Sequence, residues 1–214
     1  GKKPMNDGKD PITDEEELNK RHAYKMAKKK AARDKILATK TEERGLVIVH
    51  TGKGKGKSTA AMGLAMRAIG HGMRVGIVQF VKGAWETGER DVLANFSDLV
   101  TIKAMGEGFT WETQDRKRDI VAAETAWVKA KEMISDDSYK MMILDELNIV
   151  LRYGYISLTD VVETLKAKPR NLHVVVTGRN AKDELIEIAD LVTEMTMVKH
   201  PFRSGVKAQA GIEF

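Results

Sequence analysis

The chain has 214 residues, 42% hydrophobic and 31% charged, which is enough to bury one sizeable core with an appendage and fits a soluble globular protein. It has no cysteine, which excludes disulfides, thiol catalysis and thiolate metal sites and agrees with a cytoplasmic location. No apolar run approaches the roughly 20 residues of a membrane span or resembles a signal peptide. Of the net charge of +5, residues 1–44 carry +4, with 13 Lys/Arg against 9 Asp/Glu, so the remaining 170 residues are nearly neutral and make a poor electrostatic case for nucleic acid.

Residues 1–12 hold Gly, Pro, Asn and Asp and little to bury, and are expected to be flexible. Thr13 followed by Glu16 has the capping-box spacing, so a helix is expected from about Asp14 to about Ala38. Leu18, His22, Met26, Ala27 and Ile36 give that helix only a thin apolar stripe among eight Lys/Arg between Lys20 and Lys35. Two roles stay open for it: a solvated charged helix, or a lid over an anionic site in its own or a partner subunit. The division expected is a basic arm over 1–44 and one domain over 45–214.

From Leu46 to Ala68 the chain reads LVIVHTGKGKGKSTAAMGLAMRA. An apolar β-branched run meets a glycine–lysine loop, and a small-residue helical run follows. This is the context of a phosphate-binding loop: glycines let successive N–H groups face an anion, the helix N-terminus adds partial positive charge, Lys57 reaches phosphate oxygens and the Ser58 hydroxyl suits Mg²⁺. Thr51 stands where the usual G-x-x-x-x-G-K-[ST] pattern begins with Gly. The candidate nucleotide-binding set is Thr51, Gly52, Lys53, Gly54, Lys55, Gly56, Lys57 and Ser58, with Arg67 on the following helix. His50, just before the loop, is expected to pack at the strand end.

Beyond the loop, strand and helix alternate. Strands are expected at Leu46–Thr51, Val75–Phe80, Leu99–Lys103, Met141–Asp145, Val174–Gly178 and Leu191–Met197, several of them continuous apolar runs suited to parallel strands buried on both faces. Helices are expected at Lys57–Ile69, about Gln114–Ile134, Leu158–Ala167 and Ala181–Ile188; in the second, the spacing of Ile120, Ala123, Trp127, Ala130 and Ile134 makes Trp127 a core residue. Alternation that starts with a phosphate loop predicts a three-layer α/β fold with a mostly parallel sheet and right-handed crossovers.

Met141–Leu144 is an apolar strand ending in Asp145 and Glu146, the place where phosphate-loop proteins hold Mg²⁺; either acid is expected to do so, directly or through water, beside Ser58. Phe109 and Trp111 lie two apart in a glycine-containing loop, so in extended backbone both leave on one side, either into the core or toward a flat ligand. Lys82 and Arg179 follow strands that end at the same crevice and are either candidates for phosphate or carboxamide contacts or solvated surface residues; Lys207 and Gln209 lie in a basic, aperiodic tail that can close a site.

The segments TGKGKGKSTAA, GHGMRVGIVQFVKG, GERDVL, GFTWETQ, ILDEL, VVTGRN and VKHPFRSGVKAQAGIEF, in this order, make the chain from about Arg44 to Phe214 resemble the P-loop type ATP:corrinoid adenosyltransferases. Lys53, often Asn in that family, and Ser58, often Thr, depart from its common form. The resemblance implies a RecA-like domain, usually a homodimer, that transfers 5′-deoxyadenosine from ATP to Co(I) of a corrinoid with Mg²⁺ or Mn²⁺. It implies a phosphate loop that grips the triphosphate leaving group, Phe109 and Trp111 pressed on the lower corrin face to displace an axial ligand, the N-terminal helix as a cover, and a reduced flavoprotein as electron donor. The rival readings are a P-loop ATPase or small-molecule kinase, which would release orthophosphate or a phosphorylated product, and a RecA-like nucleic-acid-binding ATPase using the basic arm.

Overall fold

The computed structural model describes residues 11–81, 87–105 and 115–214. The chain divides into two units, residues 1–43 and 44–214. The first contains helix α1 (Pro11–Ala38), whose residues from Asp14 on are exposed to solvent. The helix begins at Pro11, three residues before the expected Asp14.

The second unit is built on a sheet of six strands: β1 (Val47–Thr51), β2 (Val75–Gln79), β3 (Val100–Ala104), β4 (Met141–Asp145), β5 (His173–Thr177) and β6 (Leu191–Glu194), in the order β3-β2-β4-β5-β1-β6. Every pairing is parallel. Between the strands run α2 (Lys57–Gly70), α3 (Gly88–Ala94), α4 (Arg116–Ile134), α5 (Leu147–Arg152), α6 (Leu158–Lys166) and α7 (Asp183–Ile188). The strands alternate their side chains between two cores. Ile48, Ile77, Ile143 and Val175 pack with Ala61, Ala65 and Ala68 of α2, while Val49, Val78, Leu144 and Val176 pack with α4 to α7. The three-layer α/β architecture with a parallel sheet is as the alternation predicts.

Trp127 is buried in the second core, as its spacing indicates, and its indole N–H donates to Asp160 Oδ2 at 2.7 Å. The helix of Trp127 opens at Arg116 rather than Gln114, where Asp115 caps it by accepting from the Arg118 N–H. Helices α3 and α5, seven and six residues long, were not expected; they are too short to show a helical period. No described helix is long and apolar enough to cross a membrane.

Candidate nucleotide-binding site

All strands run the same way, so the carboxyl ends of β1, β2, β4 and β5 open on one edge of the sheet, where parallel α/β folds place their ligands. Register brings His50, Thr177 and Asp145 side by side there: His50 pairs with Thr177 across β1 and β5, and Gln79 pairs with Asp145 across β2 and β4. The polar residues begin where the apolar strand interiors stop.

The loop from Gly52 to Gly56 leaves β1 along the backbone that continues β6. The Met195 N–H donates to the Thr51 carbonyl at 2.8 Å, and the Gly54 N–H donates to the Met195 carbonyl at 2.7 Å. A Cβ on Gly52 would lie 2.3 Å from the Met195 oxygen, and one on Gly54 2.7 Å from that of Thr196. Gly52 and Gly56 also hold φ values of 100° and 111°, which side chains oppose. The departure at Thr51 is thereby explained. Thr51 is still strand, buried, with its hydroxyl accepting from the Ala181 N–H at 3.1 Å; glycine becomes necessary one residue later, where the backbones meet.

Lys57 opens α2 and is buried, with its ammonium donating to the Gly54 carbonyl at 2.6 Å; burial chiefly, helped by the Arg179 charge, holds its pKa below the ordinary lysine value. Ser58 reaches across to β4, its hydroxyl donating to Asp145 Oδ1 at 2.7 Å. The same carboxylate oxygen accepts from the Thr177 hydroxyl at 2.8 Å, and Thr177 accepts in turn from the Glu146 N–H at 2.9 Å. Burial raises the Asp145 pKa against those two hydrogen bonds. Glu146 has φ 61°, a left-handed turn that starts α5, and burial, then the charge of Asp145, lifts its carboxyl to about 7 despite Lys57 and Arg179. The loop Gly178–Ala181 is clasped at three points: the Gly178 N–H donates to the His50 carbonyl at 3.1 Å, Asn148 Nδ2 donates to the Gly178 carbonyl at 2.8 Å, and Ala181 is held by Thr51. Arg179, exposed between these anchors, carries the charge felt at Lys57 and Glu146.

A cavity of about 630 Å³ lies over Ser58, Asp145 and Glu146 and extends to Gln79, to Glu89 and Arg90 of α3, and to residues 211–214. A serine hydroxyl and two carboxylates are hard oxygen donors of the kind Mg²⁺ takes, and among the described residues no group of three or more His, Cys, Asp or Glu side chains could hold a metal. That sparse set fits an ion that keeps waters and binds substrate phosphates rather than one held in an all-protein cage.

Of the expected site residues, Thr51 to Ser58, Asp145, Glu146 and Arg179 come together. Arg67 is exposed in the last turn of α2, about 14 Å along the helix from Ser58, and stands apart from the cavity. Lys207 and Gln209 are exposed and do not line the cavity, though the Gln209 N–H donates to Glu213 Oε2 at 2.9 Å. Lys82, Phe109 and Trp111 lie outside the described residues. Thr177 and Asn148 were missed because their partners are met only through register between β4 and β5, although VVTGRN marks the right segment. Glu89 and Arg90 were visible only within the segment GERDVL, and Ile212 to Phe214 only as the end of an aperiodic tail. His50 is buried as expected, its pKa lowered by burial, with neither ring nitrogen hydrogen-bonded.

A parallel α/β sheet whose first strand feeds a phosphate loop, with a serine on an acid from a neighbouring strand, defines a nucleotide-binding protein of the P-loop class. Residues 43–214 match the family profile described as "ATP:corrinoid adenosyltransferase BtuR/CobO/CobP". The chain is 63% identical to a corrinoid adenosyltransferase of Sinorhizobium sp, over 91% of this chain and 92% of that protein. It is 52% identical to one of Pseudomonas aeruginosa, over 92% and 98% of the two chains, and 44% identical to one of Escherichia coli K12, over 92% and 99%. The chain belongs to the ATP:corrinoid adenosyltransferase family.

Proposed function

We propose that the chain transfers the 5′-deoxyadenosyl group of ATP to the cobalt of a reduced corrinoid and releases inorganic triphosphate. The supporting observation is the contact of Ser58 with Asp145, which joins the phosphate loop to the acidic strand end in a chain of this family. Co(I) has no proton to lose when it attacks C5′, so no general base is needed and the task of the protein is to hold triphosphate as a leaving group. Lys57, the amides at the start of α2 and Arg179 supply positive charge where negative charge grows as the C5′–O bond breaks. Ser58 and Asp145, with Glu146 nearby, would hold Mg²⁺ or Mn²⁺, which when bound adds charge neutralisation on the phosphates. Glu146 then serves the metal's surroundings rather than activating water.

We assign to Phe109 and Trp111 the displacement of the lower axial ligand, to residues 1–44 a cover for the site of the same or a partner subunit, and to a reduced flavoprotein the supply of electrons. Homodimeric assembly and a cytoplasmic setting complete the reading; all five rest on resemblance and composition. Anaerobic incubation with MgATP and reduced corrinoid should give a light-sensitive adenosylated product and one triphosphate per turnover; ADP or orthophosphate without a cobalt–carbon bond overturns the assignment. Replacing Phe109 and Trp111 by Ala should slow adenosylation from Co(II) far more than from chemically prepared Co(I), and equal losses would sink the wedge.

A further inference from the structure

A second recess lies away from the phosphate loop. A groove of about 500 Å³ runs between the end of β3, at the edge of the sheet, and α4. Val78, Ala104, Met105, Val121 and Ala122 give it apolar walls. Lys103, Arg118 and Lys129 stand among them, and no carboxylate among the described residues lines it. Glu132, which is not part of the lining, lies 3.4 Å from Lys129 Nζ and matches part of that charge. Val121 is 61% exposed, and Lys103 and Thr125 are exposed as well, so core packing does not account for the combination. An apolar recess of this volume with a few cations suits a small ligand that joins a flat ring to an anion.

Its place in the fold says which ligand. Val78 and Met105 belong to the core under α4 to α7, on the sheet face opposite to α2 and its Ser58. The end of β3 stands two strand spacings, roughly 10 Å, from the end of β4 with Asp145, at the same carboxyl edge. Lys103 to Met105 lead into, and Arg118 follows, the segment that contains Phe109 and Trp111, to which the displacement of the lower axial ligand is assigned. A complete corrinoid carries that ligand as an aromatic base on a ribose, tethered to the ring through a phosphodiester. Once off the cobalt, the tail is a flat apolar base with one negative charge, on the side of the ring away from ATP. We propose that this groove takes the displaced nucleotide tail of a complete corrinoid, with the base packed on Ala104, Val121 and Ala122 and the phosphodiester facing Lys103 and Arg118. The proposal rests on the adenosyltransferase reading and adds the acceptor the site is built for, a corrinoid with its tail rather than one without. A base held in the groove is kept from returning to the cobalt, so the groove acts together with the aromatic pair and apart from the phosphates.

Steady-state adenosylation by the full chain, with saturating MgATP and two chemically reduced acceptors, tests the assignment. Co(I)cobalamin has the tail and Co(I)cobinamide ends before the phosphate. Co(I) binds no lower ligand, so displacement costs nothing in either case and the difference in KM reports the tail. The unaltered chain should have the lower KM for cobalamin. Lys103→Glu should raise that KM on the order of tenfold, the loss of one charge-assisted contact, and leave cobinamide within about twofold. Lys103→Arg should keep the cobalamin KM, because the charge remains. Thr125→Trp, which fills the groove from an exposed position of α4 where folding is not at stake, should raise the KM for cobalamin alone. Equal rises for both acceptors would make the groove a support for residues 106–114 and overturn the proposal, as would equal KM values for the two acceptors in the unaltered chain. Unchanged KM values with altered sedimentation of Thr125→Trp would make the groove an interface between copies, which overturns it too. If the unaltered chain forms no cobalt–carbon bond with either acceptor, the adenosyltransferase reading itself fails, a result distinct from any outcome with the variants.

Discussion

Glu146 sits at the centre of the site's electrostatics. Its carboxyl, ordinarily near 4.5, is lifted to about 7, first by burial and then by Asp145, with Lys57 and Arg179 pulling the other way. The folded chain therefore holds a proton that the unfolded chain gives up, and from about pH 4.5 to pH 7 the folded state loses stability as pH rises. Glu146→Gln mimics the protonated form. Thermal denaturation should show a higher Tm than the unaltered chain at pH 8, by about 2–4 °C for each kcal/mol relieved, and a smaller difference at pH 5. The same difference at both pH values would contradict the assignment. On the proposed role of Glu146 beside the metal, adenosylation by the variant should fall as well.

The phosphate loop depends on an element distant in sequence. Its glycines look like a generic anion cradle, yet two of them are dictated by the backbone at Met195 and Thr196, against which a Cβ would collide. Gly52→Ala should cost about 1–3 kcal/mol and depress MgATP affinity, since it combines a φ of 100° with a contact of 2.3 Å to a carbonyl. Gly63, inside α2 with open space around it, should behave oppositely: Gly63→Ala is expected to stabilise by about 0.5–1 kcal/mol. Paired denaturation curves check both signs. The contrast shows what local sequence carries. The loop, the acids ending β4 and the burial of Trp127 were legible because each rests on spacing within one segment. The clasp of Thr177 on Asp145 and Glu146, of Asn148 on Gly178 and of Thr51 on Ala181 was not, because each joins elements about 30 or more residues apart through the register of parallel strands. In the tail, Gln209 was singled out but the turn of Gly211 to Phe214 was not, because a turn held by local hydrogen bonds has no hydrophobic period to read.

At the scale of the molecule, stability and chemistry are unevenly shared between the two units. Every buried side chain among the described residues lies at Val47 or beyond, and α1 leaves Leu18, Tyr24, Met26, Ile36 and Leu37 exposed. A helix of such composition adds little to folding without a surface to cover. The body instead begins its stabilising contacts at Arg44. That guanidinium donates to Asp190 Oδ1 at 2.6 Å, Asp190 Oδ2 accepts from the Val47 N–H at 2.8 Å, and the Gly45 N–H donates to the Arg170 carbonyl at 2.8 Å. The Arg44 hydrogen bond chiefly holds the Asp190 carboxyl below its usual range. Removing residues 1–43 should therefore leave the Tm of the remaining chain within about 2 °C, a change of less than ~1 kcal/mol for a domain of this size. Arg44→Ala in the full chain should lower the Tm by more than the deletion does, and the loss should shrink as the pH falls and Asp190 takes up its proton. If the arm serves as a cover, the truncated chain keeps its MgATP affinity and loses adenosylation. A fall in Tm on deletion larger than that of Arg44→Ala would instead make the arm part of the folded core.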